Sequence, residues 1–251
     1  MLMKSYFFGI IIITFSLSSC KDYNPLMPKE NIKNLISNLY SPDKSKQGYL
    51  YSSKNVYVYK QSYYQDTYYH ASFFYDSSMT YYPANEVKLN GNIEAQKYDY
   101  NIVTFDGTTN HIWEVTGNSV VPTYSDTILS LNSFKIVSPL PMIDSINKNV
   151  GINLSYTSIN NTDTIYILAN LNKGRSLILD STYRNYQSIY NASSKINNGT
   201  INLPSSFFSC FPSNSFITIQ IVAFRYKLKY INNKQYMTTC IVSSTGDYLV
   251  K

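Results

Sequence analysis

The chain contains few of the residues from which catalytic and metal centres are usually built. Its 251 residues include two histidines and three cysteines. A catalytic zinc ion needs three protein ligands, whereas His70 and His111 have no second ligand at i+2 or i+4. The sequence also lacks a G-x-S-x-G nucleophile motif, an acidic calcium loop and a glycine-rich phosphate loop. We therefore expect no metal, no cofactor and no enzymatic activity, and we expect both histidines to be surface or half-buried polar residues.

Charged residues are scarce and scattered. They make up 14% of the chain, with 21 Lys and Arg against 15 Asp and Glu. No block of five or six like charges occurs, so nothing predicts binding to nucleic acid. A glycosidase needs two carboxyl groups placed across a cleft. The acidic residues of the first half show no pattern that singles out such a pair; they include Glu86, Glu94, Asp99, Asp106 and Glu114.

The N-terminus carries an export signal. A positive residue, Lys4, precedes an apolar run from Tyr6 to Leu17. As a helix this run would reach only about 18 Å, against a hydrocarbon core of about 30 Å. It is too short to span a bilayer and predicts a secretory signal peptide over residues 1–19. The following Leu17-Ser18-Ser19-Cys20 resembles the lipobox of bacterial lipoproteins, which implies that Cys20 is acylated; an ordinary signal peptide with a stray cysteine is the alternative.

Residues 20–47 are predicted to form a polar tether and a short helix. Between Pro28 and Tyr40, apolar residues recur at i, i+3, i+4 and i+7. They are Ile32, Leu35, Ile36 and Leu39. Pro28 suits the first turn of a helix and Glu30 suits its positive end. We expect this helix to pack on the domain that follows.

From Gly48 onward the signals are almost entirely those of β-strands. Asn90-Gly91 and Asn232-Asn233 separate apolar runs and predict two-residue hairpin turns. The proline-rich stretch 138–141 interrupts the strands and suggests a domain junction. We therefore predict a mostly β protein with two β-sandwich domains, residues 48–137 and residues 138–251, the second immunoglobulin-like. Trp113, the single tryptophan, is expected to anchor a core.

Two cysteines remain if Cys20 is acylated. A bridge between Cys210 and Cys240 would close a loop of about thirty residues and stabilise the fold by about 3–4 kcal/mol. The alternative is two separate buried thiols. In the same region, Arg225, Lys227 and Lys229 alternate with apolar residues. This pattern predicts a solvated basic face that discourages edge pairing.

Tyrosine is unusually abundant in this chain, with 26 residues. Exposed tyrosines can stack on sugar rings or anchor a protein partner. The alternative is that the tyrosines are structural, because tyrosine fills half-buried strand positions well. The chain is also rich in the other residues that AT-rich codons encode, so the composition of the genome can account for their number. Alternation would place Tyr57, Tyr59 and Tyr63 on one face. The best candidates for ligand binding are the pairs Tyr63-Tyr64 and Tyr68-Tyr69, since one ring of each pair must face away from the core.

Several short motifs resemble those of exported Bacteroidota lipoproteins. Cys20-Lys21-Asp22 is similar to the acidic-containing signal that directs lipoproteins to the cell surface in that phylum. The stretch 74–117, with its Asn90-Gly91 turn and Trp113, resembles uncharacterised lipoproteins of these bacteria. Four tripeptides resemble the phylum's O-glycosylation sequon, with acceptors at Thr127, Ser145, Thr164 and Ser181. The resemblance implies a lipid-anchored outer-membrane protein, which faces either the cell surface or the periplasm, and brings no activity with it.

The sequence thus predicts a non-catalytic binding or structural module of the cell envelope, held on the membrane by its lipid. Its partner would be a glycan or an envelope protein. The main alternative is a glycan-binding surface lipoprotein of a polysaccharide-uptake system. A hydrolase and an adhesin or envelope-complex subunit are further alternatives.

Overall fold

The computed structural model describes residues 47–74, 82–93, 103–160, 162, 164–172, 175, 187–192 and 199–251, the segment 187–192 by its backbone alone. The predicted signal peptide, Cys20, nearly all of the tether and helix segment, and Ser181 lie outside these residues. The described part of the chain is mostly β, as predicted, with fourteen strands and one short helix. The elements are β1 (Gly48–Tyr59), β2 (Ser62–Phe73), β3 (Glu86–Leu89), β4 (Asn92–Ile93), β5 (Asn110–Thr116), β6 (Tyr124–Leu129), β7 (Ile136–Ser138), β8 (Ser145–Ile146), β9 (Ile152–Tyr156), β10 (Thr164–Leu171), β11 (Gln187–Ala192), β12 (Thr200–Leu203), α1 (Ser205–Phe208), β13 (Ser215–Ile231) and β14 (Lys234–Val250).

A large sheet carries the strands in the order β11-β10-β13-β14-β1-β2, with β8 also paired to β14. Strands β13 and β14 form a hairpin of seventeen residues on each side. Strand β1 runs parallel to β14, from Gly48 opposite Tyr236 to Val58 opposite Gly246. This parallel pair joins the first strand of the described chain to the last, which no local sequence signal specifies.

Two smaller sheets cover one face of the large sheet. Their strand orders are β12-β9-β7 and β4-β3-β5-β6. The backbone N–H of Ile136 in β7 donates to Ser244 Oγ in β14 at 2.9 Å, and Thr238 Oγ in β14 donates to Asp126 in β6 at 2.6 Å. We call the covered side of the large sheet the inner face and the opposite side the outer face. Because strand side chains alternate, the inner residues of every long strand enter one core.

Both predicted hairpin turns are confirmed. Asn90 and Gly91 have φ angles of 51° and 78°, and Asn232 and Asn233 have φ angles of 51° and 62°. Positive φ at both central positions is the requirement of a type I′ turn, which asparagine and glycine meet at low steric cost. These four residues therefore fix the registers of β3 with β4 and of β13 with β14.

The prediction of two separate sandwiches divided at residue 137 is wrong. Strands β1 and β2 from the first half extend the same sheet as β13 and β14 from the second half. A single cluster of buried side chains also draws on both halves, including Leu50, Trp113 and Tyr248. The long β13–β14 hairpin packs against both smaller sheets: one end faces the β12-β9-β7 sheet and the other faces the β4-β3-β5-β6 sheet. Trp113 is fully buried, as expected.

Candidate functional site

The four candidate tyrosines do not lie on one surface, because β2 alternates between the two faces. Tyr64 and Tyr68 lie on the outer face, while Tyr63 and Tyr69 lie on the inner side. Tyr69 is 4% exposed and packs in the core. Tyr63, 53% exposed, lies at the margin with Lys135 Nζ 4.6 Å from its ring centroid. One ring of each pair faces away from the core, as expected.

The prediction that Tyr57, Tyr59 and Tyr63 share one face is wrong for Tyr63. Strands β1 and β2 are joined by a two-residue turn, which sets Tyr63 opposite Val58 and Tyr64 opposite Tyr57. The outer face therefore carries Tyr57, Tyr59 and Tyr64. The two-residue turn pairs odd-numbered residues of β1 with even-numbered residues of β2, so counting odd residues straight through the turn assigns Tyr63 to the wrong face.

A stacked pair forms the centre of this outer surface. The rings of Tyr57 and Tyr64 are 4.5 Å apart between centroids, with an interplanar angle of 10°. Tyr57 covers one side of the Tyr64 ring, and 62% of Tyr64 remains exposed. Burial raises the pKa of Tyr57, and the neighbouring Asp66 carboxylate, which accepts its hydrogen bond, raises that pKa further. The pair is thus a fixed aromatic surface with a solvent-accessible side.

A row of polar side chains runs beside the stacked pair across four strands. Asn55 Nδ2 donates to Asp66 Oδ1 at 2.8 Å, and Ser243 Oγ donates to Asn55 Oδ1 at 2.7 Å. Gln220 Nε2 in turn donates to Ser243 Oγ at 3.2 Å. Asn55 pairs in register with both Asp66 and Ser243, which places all three side chains on the outer face. We call Tyr57, Tyr64, Asn55 and Asp66 the platform; Ser243 is fully buried and supports Asn55 through its hydrogen bond.

Tyr59 lies on the same face as the platform, two residues from Tyr57, and has cations around it. Lys60 Nζ is 5.5 Å and the Arg175 guanidinium carbon is 5.7 Å from the centroid of its ring. Arg175 Nε also pairs with Asp247 Oδ2 at 3.2 Å, and Thr218 Oγ donates to Asp247 Oδ1 at 2.6 Å. This end of the surface is therefore rich in hydrogen-bond donors.

Tyr68 lies on the outer face in a second aromatic group. Its ring centroid is 5.2 Å from that of Tyr51 and 6.1 Å from that of His70. The His70 ring forms a 2.6 Å hydrogen bond between Nε2 and Ser72 Oγ, and burial lowers the pKa of His70. His70 is half-buried, as expected. This group is packed within itself and presents less open aromatic surface than Tyr64.

His111, in contrast, is fully buried, so its expected exposure is wrong. Its Nε2–H donates to the Thr104 carbonyl at 2.9 Å, which leaves Nδ1 to accept from Ser52 Oγ at 2.8 Å. Burial lowers the pKa of His111. Both ring nitrogens are therefore satisfied in a neutral imidazole of this tautomer, and burial favours that neutral form. The imidazole is therefore part of the core and not of an accessible site.

The predicted Cys210–Cys240 bridge is also wrong, because Cys240 is a free, buried thiol. Its sulfur accepts from the Leu131 backbone N–H at 3.4 Å. Burial raises the pKa of Cys240 to about 11, so the thiol is protonated at neutral pH. A buried, protonated sulfur is a poor nucleophile, and we assign it no chemistry.

Acidification is expected to destabilise the fold through His111. Because the pKa of His111 is lowered on folding, the unfolded chain binds a proton that the folded chain excludes, and stability falls as the pH drops below about 6.5. Between pH 7.5 and 5.5 we expect a loss of about 1 kcal/mol in the free energy of unfolding. Urea titrations should show this loss in the natural chain, and His111→Gln should remove more of it than His70→Gln, because His111 is fully buried whereas His70, whose pKa is also lowered, is only half-buried. Equal losses in the natural chain and His111→Gln would contradict the assignment.

The expected solvated basic face has a more specific role. Three alternate side chains of β13 donate to consecutive outward carbonyls of the edge strand β6. Arg225 contacts the Leu129 carbonyl at 3.4 Å, Lys227 contacts that of Thr127 at 3.4 Å, and Lys229 contacts that of Ser125 at 2.6 Å. Alternate residues of two strands repeat at the same distance, so the cations and carbonyls match. The basic face closes an open sheet edge.

Three of the four predicted glycosylation acceptors lie in strands. Thr127 is exposed in β6, while Ser145 in β8 and Thr164 at the start of β10 are half-buried. The residue before Thr127 is Asp126, whose side chain is 1% exposed and pairs with Lys227 Nζ at 2.6 Å. Of the three, Thr127 offers the most accessible hydroxyl, and its modification remains a prediction.

Within the described ranges, no group of three His, Cys, Asp or Glu side chains is placed to hold a metal ion. No helix in the same part of the chain is long and apolar enough to cross a membrane. In comparisons with known proteins, no family model and no curated protein matches this chain.

Proposed function

We propose that this chain is an exported, lipid-anchored, non-catalytic binding protein that presents the platform to a saccharide. The stacked Tyr57–Tyr64 pair with its exposed side, bordered by the half-buried side chains of Asp66 and Asn55, is the observation that carries the proposal. A saccharide ring has apolar C–H faces and hydroxyl groups around its edge. An aromatic ring beside fixed polar side chains complements both features.

The platform is suited to binding because its parts are held before a ligand arrives. Tyr57 and Tyr64 are opposite each other on paired strands, and Asp66 fixes the Tyr57 hydroxyl. Each hydrogen bond of the polar row joins residues on neighbouring strands of one sheet. Side chains locked by such contacts lose little conformational entropy on binding. Asp66 lies in the edge strand β2, is half-buried, and as a carboxylate can accept a further hydrogen bond from a ligand hydroxyl.

The lipid anchor is the second part of the proposal and rests on the sequence around Cys20. Each buried methylene of an acyl chain contributes about 0.8 kcal/mol, and more than one chain gives stable attachment. The likeness of Cys20-Lys21-Asp22 to Bacteroidota export signals supports a position at the outer membrane, facing the cell exterior. Such a protein would hold a glycan beside the membrane without cleaving it.

An immunoglobulin-like arrangement of residues 138–251 also belongs to the proposal and is supported by strand order. If β7 and β9–β14 are lettered in turn as A, B, C, C′, E, F and G, the large sheet contains C′-C-F-G. The β12-β9-β7 sheet is then E-B-A. These neighbours agree with the two sheets of an immunoglobulin-like sandwich whose strand C′ joins the sheet of C, F and G. Strands β1 and β2 extend this sheet and bring the platform with them.

The experiment that tests the binding proposal is a glycan-array screen followed by calorimetry on Tyr64→Ala and Tyr63→Ala. Both tyrosines are neighbours in β2 and more than half exposed, but only Tyr64 is on the outer face. Loss of an aromatic anchor at the centre of a site weakens binding by about tenfold or more. We expect that loss for Tyr64→Ala and a change of less than about twofold for Tyr63→Ala. Equal effects of the two variants, or no glycan bound, would contradict the proposal.

A further inference from the structure

The charges around the platform are arranged along an axis. At the Tyr59 end lie Lys60 and Arg175, each with its cation within 6 Å of the Tyr59 ring centroid. At the other end lies Asp66, level with Asn55. Tyr59, Tyr57 and Asn55 are alternate residues of β1, so the two ends are separated by about 14 Å at 3.4 Å per residue. The stacked pair lies between them.

The two ends have opposite net charge. At the Tyr59 end, the residues that the structure describes include the ammonium of Lys60 and the guanidinium of Arg175 beside one carboxylate, that of Asp247, which leaves one positive charge in excess among them. Asp247 Oδ2 pairs with Arg175 Nε at 3.2 Å, while Nη1 points toward Met142 Sδ at 3.3 Å. Lys60 has no ion-pair partner among the residues that the structure describes. At the far end, Asp66 contributes a negative charge.

We propose that the saccharide taken by the platform is acidic, with its carboxylate or sulfate group at the Tyr59 end. This inference rests on the proposed function and adds the chemical class and the direction of the ligand. Lys60 and Arg175 donate hydrogen bonds to the anionic group, while Asp66 accepts hydrogen bonds from neutral hydroxyls. A reversed ligand would bring its anion to Asp66 and would be repelled. The charges therefore select both the ligand and its orientation.

The contribution of the two cations to the binding free energy is limited by their exposure to solvent. Arg175 is 41% exposed in its side chain, and water screens such charges strongly. Each exposed ion pair contributes little, so we expect each cation to change the affinity for an acidic saccharide by about threefold. The aromatic surface supplies most of the affinity, and the cations supply discrimination between acidic and neutral sugars.

The test compares saccharides that share their rings and differ in charge. Tetragalacturonate is paired with its methyl ester, hyaluronate hexasaccharide with its carboxyl-reduced form, and a chondroitin sulfate oligosaccharide with its desulfated and carboxyl-reduced form. We expect at least one acidic member to bind about fivefold or more tighter than its neutral partner at low salt. Raising the sodium chloride concentration from 50 to 500 mM should remove that preference while leaving the weaker neutral binding.

A matched pair of lysine variants tests whether the preference for acidic saccharides arises at the Tyr59 end. Lys60→Gln should reduce the preference for the acidic member about threefold. Lys135→Gln should not change it, since Lys135 also lies over an exposed tyrosine ring, that of Tyr63, but outside the outer face. Equal effects of the two lysine variants would contradict the inference.

The same measurements separate this inference from the function on which it rests. If acidic and neutral members bind equally and Tyr64→Ala weakens both, the acidic preference is wrong and saccharide binding stands. If no member of the panel binds, or if Tyr64→Ala leaves all binding unchanged, both are wrong.

Discussion

Replacing Lys227 with methionine is expected to lower the free energy of unfolding by about 3 kcal/mol, although the lysine side chain is largely at the surface. Lys227 Nζ pairs with Asp126 Oδ1 at 2.6 Å; the lysine side chain is 53% exposed, whereas that of Asp126 is 1% exposed. Removing the cation leaves a buried carboxylate without its opposite charge. Donation from Thr238 Oγ at 2.6 Å compensates only part of that loss.

Two further variants make this test specific. Lys229→Met removes a cation two residues away that contacts the Ser125 carbonyl and lies 5.8 Å from the Tyr124 ring centroid. In the described part of the chain this cation pairs with no buried carboxylate, so its removal should cost less than about 1 kcal/mol. Adding Asp126→Asn to Lys227→Met removes the buried charge and keeps an acceptor for Thr238, so most of the lost stability should return. Urea unfolding measures all three. Equal losses for Lys227→Met and Lys229→Met would show that the ion pair does not stabilise the inner face.

Replacing Cys20 with serine is expected to move the protein from the membrane to the aqueous phase. A thiol is the acylation site in the lipobox, and a hydroxyl at the same place should leave the chain without acyl chains. Two or three chains of about fourteen to sixteen carbons, at about 0.8 kcal/mol per buried methylene, account for nearly all the membrane affinity. Triton X-114 partitioning and intact mass should show loss of lipid mass and transfer to the aqueous phase.

The control for this variant is Cys240→Ala, which removes a buried cysteine and should leave the protein in the detergent phase. Partitioning of Cys20→Ser into detergent at the level of the natural chain would contradict lipid anchoring. Processing that continues in the presence of globomycin, an inhibitor of the lipoprotein signal peptidase, would do the same.

Local features of the fold were predictable from the sequence because local physics determines them. The turns at Asn90-Gly91 and Asn232-Asn233 depend on positive φ angles that few residues adopt. The domain division was not predictable in the same way. It fails because β1 pairs with β14, across nearly the whole described chain. Such pairing is set by which faces must be buried together, and the sequence carries no short-range signal of it.

Of the candidate site, only the features that lie within a single strand were predictable from the sequence. Adjacent tyrosines in β2 had to face opposite sides, so one outward ring in each pair was predictable, but which ring it would be was not. The polar residues beside the stacked pair were missed, since Asn55, Asp66 and the supporting Ser243 come from three strands and meet through register alone. Arg175 lies further away in sequence and is brought to Tyr59 by the chain after β10. His111 was misplaced for the same reason, because only tertiary packing buries it.

The most direct test of saccharide binding at the platform is nuclear magnetic resonance of the isotopically labelled mature chain during titration with the best ligand of the panel. The account predicts that chemical-shift changes centre on Tyr57, Tyr64, Asn55 and Asp66 and spread to Tyr59. It predicts none at Ile112, which is exposed on the opposite side of the β4-β3-β5-β6 sheet from the core. Changes centred on that sheet, with the platform resonances unmoved, would contradict it.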